Sequence, residues 1–308
     1  MTTHWRRDPK VWLALAVTLL LWASAFAGIR AGMRLTPAGL PGPDGYGPGE
    51  VALLRFGTAS IVLAVFALLT RMRPPSRRDL LGIAIAGVVG ISIYHVSLNF
   101  GEQTVSSGAA ALLISAGPVF VALLSMVFLG ERLTATGWFG IGVAFAGAAL
   151  ISVSGSGGLH FTVGALFVLL SALATAAYFI LSKRLLRHYT PLEFTCYAIW
   201  AGTVPMLVFA PGFVRQVQHA APSATLAVVY LGIFPAAVAY VLSNYALARM
   251  PASLMTTFLY LSPVLAAFIA WVWLGEVPAV LTVIGGAVAI VGVIIVQTRG
   301  QAREKAPS

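Results

Sequence analysis

The sequence predicts an all-α integral membrane protein with ten transmembrane helices, arranged as two inverted five-helix repeats. Three observations support this fold class. Hydrophobic residues make up 59% of the 308-residue chain and charged residues only 9%, a composition unlike that of a soluble globular domain. Apolar runs of membrane-spanning length recur between short polar breaks. The second half of the sequence also repeats the first at an offset of 145 residues.

The apolar runs define the ten predicted helices, because a bilayer core about 30 Å thick requires about 20 apolar residues per helix. The runs lie near residues 11–29, 51–69, 80–100, 105–129, 135–153, 162–182, 192–210, 224–247, 252–274 and 279–297. The first run also fits a signal peptide with a small-residue cleavage site, but its place in the repeat favours a retained helix. The single cysteine, Cys196, excludes a disulfide or a cysteine metal site within one chain.

Basic residues are distributed unequally between the two sides of these helices. Fifteen of the 19 Lys and Arg residues lie on the side of the N-terminus, and Arg30, Arg34 and Arg215 lie on the other. Since Lys and Arg are enriched in cytoplasmic loops, both termini are predicted to be cytoplasmic. The net charge of +10 is thus explained by topology, and nucleic acid is not an expected partner.

The repeat aligns spans three to five with spans eight to ten without a gap. The 145-residue shift places Gly87 on Gly232, Asn99 on Asn244, Pro118 on Pro263, Gly140 on Gly285, Gly147 on Gly292, and the LGE that ends at Glu131 on the LGE that ends at Glu276. Slightly different shifts pair Phe26 with Phe179, Arg30 with Lys183, and Pro48 and Glu50 with Pro191 and Glu193. The chain is therefore predicted to divide into residues 1–155 and 156–308. Because five is odd, the second unit enters the membrane from the opposite side, and such inverted repeats are typical of transporters.

Several motifs resemble one known family. They are LLWASAFAGIRAG in span one, LLRFGTA in span two, and the paired GPVFVALLSMVFLGERL and SPVLAAFIAWVWLGEVP. The chain resembles the ten-helix EamA-type members of the drug/metabolite transporter superfamily over nearly its whole length, and is most similar to the YddG-like exporters of aromatic and other amphipathic amino acids. The resemblance implies export of such a molecule across the bacterial inner membrane by alternating access. The loop TPAGLPGPDGYGPG is longer than is usual in that family.

Aromatic residues in the middle of the spans indicate a binding cavity. Trp and Tyr normally gather at the two membrane interfaces. Six lie mid-span instead, on six helices from both halves: Trp22, Tyr94, Tyr178, Trp200, Tyr240 and Tyr260. A single buried aromatic usually serves packing, but six favour a shared cavity that suits a flat, amphipathic or cationic small molecule. Ser24, His95 and Ser115 complete the predicted substrate-binding set.

Two ionisable residues lie inside spans. Arg55 is about 7–8 Å below the external surface at 1.5 Å per residue, so its side chain either snorkels back to water or orients a substrate carboxylate. His95 lies about 10 Å from the external end of span three. It is a structural histidine, a polar contact in the cavity, or a titrating coupling site.

A second set of residues, which includes Arg55, is predicted to act in gating. Pro118 and Pro263 lie near the centres of spans four and nine, where they form hinges or static kinks. Asn99 and Asn244 lie at opposite mouths. They are either local helix caps or matched latches, each bonding across the seam between the halves when its own mouth is shut.

Other classes of protein and site find little support in the sequence. All nine acidic residues lie at or beyond the ends of spans, which favours a facilitator driven by the substrate's own gradient; proton coupling through His95 is the alternative. Glu131 and Glu276 are interpreted as helix-end residues that follow a glycine cap. No catalytic cluster, metal site or cofactor is expected, and a receptor or scaffold is a remote alternative. The expected partners are a small-molecule substrate and the lipid bilayer, and the chain is expected to be a monomer.

Overall fold

The computed structural model describes residues 8–36, 39–70, 72–115, 117, 119–120, 124, 134–154, 162–249 and 261–299. Within these ranges the chain forms ten helical segments and no β-strand. They are α1 (Pro9–Met33), α2 (Pro48–Leu69), α3 (Leu80–Gly101), α4 (Ser107–Ile114), α5 (Ala135–Ser154), α6 (Val163–Leu185), α7 (Pro191–Gln216), α8 (Pro222–Arg249), α9 (Ser262–Leu274) and α10 (Val280–Arg299). The predicted all-helical fold class is thereby confirmed for the described residues.

Six of these segments are long and apolar enough to cross a membrane: α1, α2, α3, α6, α7 and α8. Segments α5, α9 and α10 contain shorter apolar stretches. The predicted spans 105–129 and 252–274 both extend over residues outside the described ranges. The count of ten membrane crossings therefore stays a prediction.

Proline and capping residues explain where several helices begin. Prolines occupy the first turns of α1, α2, α7 and α8, where a helix needs no backbone N–H. At α7 the Thr190 hydroxyl accepts a hydrogen bond from the Glu193 N–H, and the Glu193 carboxylate accepts one from the Thr190 N–H. This capping box fixes the start of α7. Glu50 lies in the corresponding first turn of α2, where a negative charge favours the helix dipole.

Contacts along α8 define the two ends of the helix bundle. Near the start of α8, Leu231 packs so closely on Gly28 of α1 that an added Cβ would lie 2.7 Å from the leucine Cδ2. Arg30, two residues further along α1, lies at this end. Near the close of α8, the Leu247 carbonyl accepts a hydrogen bond from Lys183 Nζ on α6. Leu231 and Leu247 are separated by about 24 Å of helix axis at 1.5 Å per residue. We call the two ends the Arg30 end and the Lys183 end.

Segments α3 and α8 each contain a π-helical stretch, Val88–Ile93 and Gly232–Val238. The 145-residue offset places the first stretch almost on the second. A π-helical stretch widens the helix and changes the hydrogen bonding of its carbonyls, and such stretches are frequent at functional sites. In α8 the Pro235 carbonyl accepts a hydrogen bond from the Trp22 indole Nε1 at 3.2 Å. The irregular turn of α8 therefore faces Trp22 of α1.

Segments α5 and α10 cross each other through small residues. A Cβ added at Gly147 would lie 2.3 Å from the Ala289 nitrogen, and one added at Gly292 would lie 2.3 Å from the Ala144 nitrogen. The two contacts are reciprocal, because the 145-residue offset converts one into the other. The small residues of α5 and α10 thus serve close packing within the chain.

Candidate functional site

An enclosed cavity of about 80 Å³ lies in the middle of the bundle. Ligand pockets usually measure about 300–1,000 Å³, so this cavity is smaller than a typical ligand pocket. Of the predicted substrate-binding residues, the cavity is lined by Trp22, Tyr94, His95, Ser115, Tyr178 and Tyr240. Arg55 and the repeat equivalents Phe26 and Phe179 also line it. The described lining residues include no Asp or Glu.

His95 and Tyr240 join the two halves of the sequence at this cavity. The His95 Nε2 lies 2.9 Å from the Tyr240 hydroxyl, and the histidine tautomer decides which atom donates. The two residues are exact repeat equivalents, since 145 positions separate them. Phe56 and Tyr94 pack against the imidazole with ring centroids 4.5 and 4.3 Å away, and Trp22 packs edge-on against Tyr240. His95 Nδ1 is buried and has no hydrogen-bond partner among the described residues.

Arg55 brings a positive charge into the cavity wall. Its side chain is only 1% exposed, so it does not snorkel to the surface. Its Nε and Nη1 atoms are buried and donate to no group in the part of the chain that the structure describes. The guanidinium carbon lies 5.3 Å from the centre of the Phe56 ring, which supplies a cation–π contact. A buried guanidinium with two free donors is suited to a carboxylate ligand.

An ion pair ties several helices together at the Arg30 end. Arg30 Nε donates to a carboxylate oxygen of Glu276, which follows α9, and both side chains are about one-fifth exposed. Arg30 Nη1 donates to the carbonyls of Glu102 and Val105, at 2.6 and 3.1 Å. The second carboxylate oxygen of Glu276 accepts from the Ser107 N–H at the start of α4. These contacts join the first half of the sequence to the second.

A groove open to the surface lies on the outer side of this ion pair. It has a volume of about 800 Å³, and its lining includes Arg30, Arg34, Asp44, Ser223, Tyr230, Trp273 and Glu276. Ser24 lies beside the cavity-lining Ala25, and its hydroxyl is 2.7 Å from the Tyr230 hydroxyl of the groove. Ser24 therefore lies between the cavity and the groove, and it is not among the residues that line the cavity.

Asn244 organises a second set of contacts toward the Lys183 end. Its Nδ2 donates to the Tyr178 hydroxyl at 3.2 Å and to the Thr195 hydroxyl at 2.9 Å. These bonds connect α8 to α6 and α7. Asn99, the repeat equivalent, donates to the Pro48 carbonyl at 2.9 Å and connects α3 to α2.

Both asparagines thus bond within their own half of the sequence. The bonds differ from the predicted cross-seam latches and equally from local helix caps. In this structure the contacts that cross the seam at the Arg30 end include the Arg30–Glu276 ion pair and the Ser24–Tyr230 hydrogen bond.

The remaining predicted residues lie in other places. Trp200 is outside the cavity lining, since its Nε1 donates to the Ser60 carbonyl and its ring borders a separate surface groove near Arg73. Pro263 is buried in the first turn of α9 as described, where a missing N–H breaks no hydrogen bond. Tyr260 and Pro118 lie outside the described residues.

Sequence reasoning missed three features of the site. Glu276 follows the glycine cap of α9, as predicted, but its ion pair with Arg30 was not predicted, although the pairing of Arg30 with Lys183 and of Glu131 with Glu276 could have indicated it. Glu102 lies at the end of a predicted span, yet it is fully buried. The π-helical stretch in α3 contains no proline, and the sequence offers no recognisable signal for it.

The fold and site define a class of protein before any comparison is made. Membrane-length helices surround a cavity with polar and aromatic walls, and a surface groove lined by an ion pair lies at the Arg30 end. This is the architecture of a multi-pass membrane protein that accommodates a small molecule.

Comparison with known proteins names the family. The sequence pattern of the EamA-like transporter family matches residues 9–153 and again 162–298, and the chain belongs to this family. A relative from Streptantibioticus cattleyicolor, named "Probable terminal-alkyne amino-acid exporter", is 44% identical over 97% of this chain and 96% of its own length. The "Uncharacterized transporter YdfC" of Bacillus subtilis is 38% identical over 94% of this chain and 91% of its own. One solved crystal structure shares the fold with a TM-score of 0.60 at 21% identity, covering 94% of this chain and 96% of that one.

Proposed function

We propose that the protein exports small amphipathic amino acids, aromatic or otherwise neutral, across the bacterial inner membrane by alternating access. The observation that carries the proposal is the cavity, which combines one buried cation with several aromatic rings. An amino acid has a carboxylate for the cation and an apolar side chain for the rings. The relative named as an exporter of a terminal-alkyne amino acid supports the same substrate class.

Arg55 is the proposed anchor for the substrate carboxylate. A buried charge is retained in proteins when it is paired or has a function, and Arg55 has no carboxylate partner among the described residues. Either of the unused donors, Nε or Nη1, can donate to one oxygen of a carboxylate. The His95 Nδ1 and the Tyr hydroxyls of the cavity are then available to other polar groups of the substrate.

The proposed architecture is two inverted repeats, residues 1–155 and 156–308, with ten membrane crossings and both termini in the cytoplasm. The reciprocal contacts of α5 with α10 and the two separate family matches support it. In this architecture the Arg30 end faces outward. We propose that a monomer in the bilayer is the working unit and that Arg55, Asn99, Asn244, Pro118 and Pro263 take part in gating.

The proposed energy source is the substrate's own gradient, because the described lining of the cavity contains no carboxylate to carry a coupling ion. Proton coupling through His95 is the second candidate, since its Nδ1 is unpartnered within the cavity. Proteoliposomes loaded with labelled amino acid separate the two. A facilitator keeps its rate when a protonophore removes an imposed pH gradient, whereas a coupled exporter slows.

Uptake and efflux of labelled norleucine and phenylalanine by proteoliposomes test the substrate class. The Arg55→Gln variant should lose about 1.5–3 kcal/mol of carboxylate binding, which raises KM about 10–100-fold, and Arg55→Lys should lose less. Arg34→Gln is the matched control, because it removes a positive charge at the same end but outside the cavity. Competition by norleucine and none by norleucinamide is expected. Equal transport by the Arg55→Gln variant, or equal competition by the amide, would exclude this carboxylate anchor.

A further inference from the structure

Glu102 is a buried carboxyl group with no assigned role. It follows α3 at the Arg30 end, its side chain is 0% exposed, and both carboxylate oxygens lack a hydrogen-bond partner among the described residues. Arg30 contacts Glu102 only through the backbone carbonyl, at 2.6 Å. An ionised carboxylate in such a place would be strongly destabilised, so the side chain is accommodated in its neutral form.

The repeat shows that the fold does not need a carboxyl group at this position. The equivalent residue is Leu247, which is also buried, and its carbonyl accepts a hydrogen bond from Lys183 as the Glu102 carbonyl accepts one from Arg30. The contact between basic side chain and backbone is thus present at both ends. A carboxyl side chain is present at one end only.

We propose that Glu102 is a proton-binding site whose occupation keeps the Arg30 end closed. The charged groups that act on it are Arg30 from α1, Glu276 from the end of α9, and Arg55 from α2. When Glu102 is neutral, Arg30 has one carboxylate partner, Glu276. When Glu102 loses its proton, a second carboxylate is left buried beside the ion pair, and opening relieves this by hydrating it. The proposal rests on the proposed function only in treating the Arg30 end as a transport mouth.

The direction of the pH effect follows from linkage. Burial raises the pKa of the Glu102 carboxyl well above its ordinary value of 4.5 in the closed form, partly offset by the Arg30 charge. In an open, hydrated form the pKa returns toward that ordinary value. The closed form is therefore favoured fully below pH 4.5, and its advantage is lost as the pH rises through the closed-form pKa. Between the two pKa values the ratio of open to closed protein should rise about tenfold per pH unit.

Pulsed electron paramagnetic resonance on the purified full-length protein tests this without any substrate. Spin labels on Thr104→Cys and Val277→Cys, in a Cys196→Ala background, span the contact between α4 and the end of α9. The parent should show a short distance at pH 5 and a growing long-distance population toward pH 8. Glu102→Gln and Glu102→Leu, the latter copying the residue at position 247, should keep the short distance throughout.

Matched variants make the outcome specific. Glu50→Gln removes a carboxylate at the same end without touching Arg30 and should retain the pH response. The short distance itself reports that each variant is folded. A parent without a pH response, or the same response in both Glu102 variants, would overturn the proposal. Loss of the response in His95→Gln with retention in Glu102→Gln would also overturn it and assign the proton to His95. Failure of amino acid transport would leave these distances unaffected, so the two proposals fail separately.

Discussion

Replacement of Arg55 by methionine should make the protein more stable while abolishing its proposed carboxylate binding. The guanidinium is buried, with two donors that no described residue satisfies. Methionine is unbranched and apolar, so it can fill the same stem space without a charge. Natural binding sites often retain residues that lower the stability of the folded protein because their function requires them. The proposed binding of a carboxylate would explain why Arg55 is present at this position.

The magnitude follows from the contacts that the substitution removes. Each buried donor without a partner costs about 1–3 kcal/mol, which gives about 2–6 kcal/mol for Nε and Nη1 together. The cation–π contact with Phe56 offsets about 0.5–2 kcal/mol of this cost. The Arg55→Met variant should therefore gain about 0–5.5 kcal/mol in free energy of unfolding.

Reversible denaturant unfolding of the purified protein in lipid–detergent mixed micelles, without added amino acid, measures the gain. Arg34→Met is the control, because Arg34 pairs with Asp44 at 2.8 Å with both side chains 43% exposed. Such an exposed pair contributes about 0–1 kcal/mol, so the control should lose that amount or nothing. Addition of substrate should narrow the gap, since ligand stabilises the parent alone. A variant at position 55 that is less stable than the parent would refute the view of Arg55 as an unsatisfied cation.

Three further predictions concern the frame around the site. Arg30→Ala should populate the open Arg30 end more than Arg30→Lys in the spin-label distance assay, because lysine at the equivalent position 183 still bonds a backbone carbonyl; equal opening in both variants would contradict this. Gly147→Leu should lower the thermal unfolding temperature by several degrees, since its Cβ would lie 2.3 Å from a backbone nitrogen of α10, whereas Gly142→Leu meets nothing within 4 Å of its Cβ and should have little effect. Ser223→Cys in the open groove should react with an impermeant thiol reagent in intact cells and Ser76→Cys should not, and the reverse pattern would invert the proposed topology.

The positions of the membrane-length helices could be predicted from the sequence, because the length of an apolar run is visible in the sequence itself. Apolar runs predicted each membrane-length helix that the structure describes. The mid-span position of Tyr94, Tyr178 and Tyr240 correctly placed them at one cavity. The position of these residues along their spans was sufficient for this prediction, because a polar group inside the bilayer requires a polar neighbour.

Some residues that were predicted to line the cavity do not line it, because their side chains point in another direction around the helix axis. Trp200 has the same depth as its aromatic neighbours, but it points toward Ser60 and a separate groove. Depth was also the wrong measure for Glu102, because a residue at a helix end can still be covered by loops and adjacent helices. Asn99 bonds to a partner on one neighbouring helix and Asn244 to partners on two, and only helix packing brings these partners within reach. The pattern of a single sequence does not show which way a side chain points around its helix, or which loops and helices pack over a helix end.

The bond between His95 and Tyr240 has a consequence for the ancestry of the two halves. Equivalent residues that touch each other form a contact that occurs once in the molecule, unlike the α5–α10 contacts, which occur twice. A duplicated half would place two identical side chains at that spot, either two imidazoles or two phenols. The chain instead holds one of each at 2.9 Å, with Glu102 and Leu247 as a second unlike pair. Neither half can therefore be replaced by a copy of the other without losing this pairing of unlike side chains at the cavity.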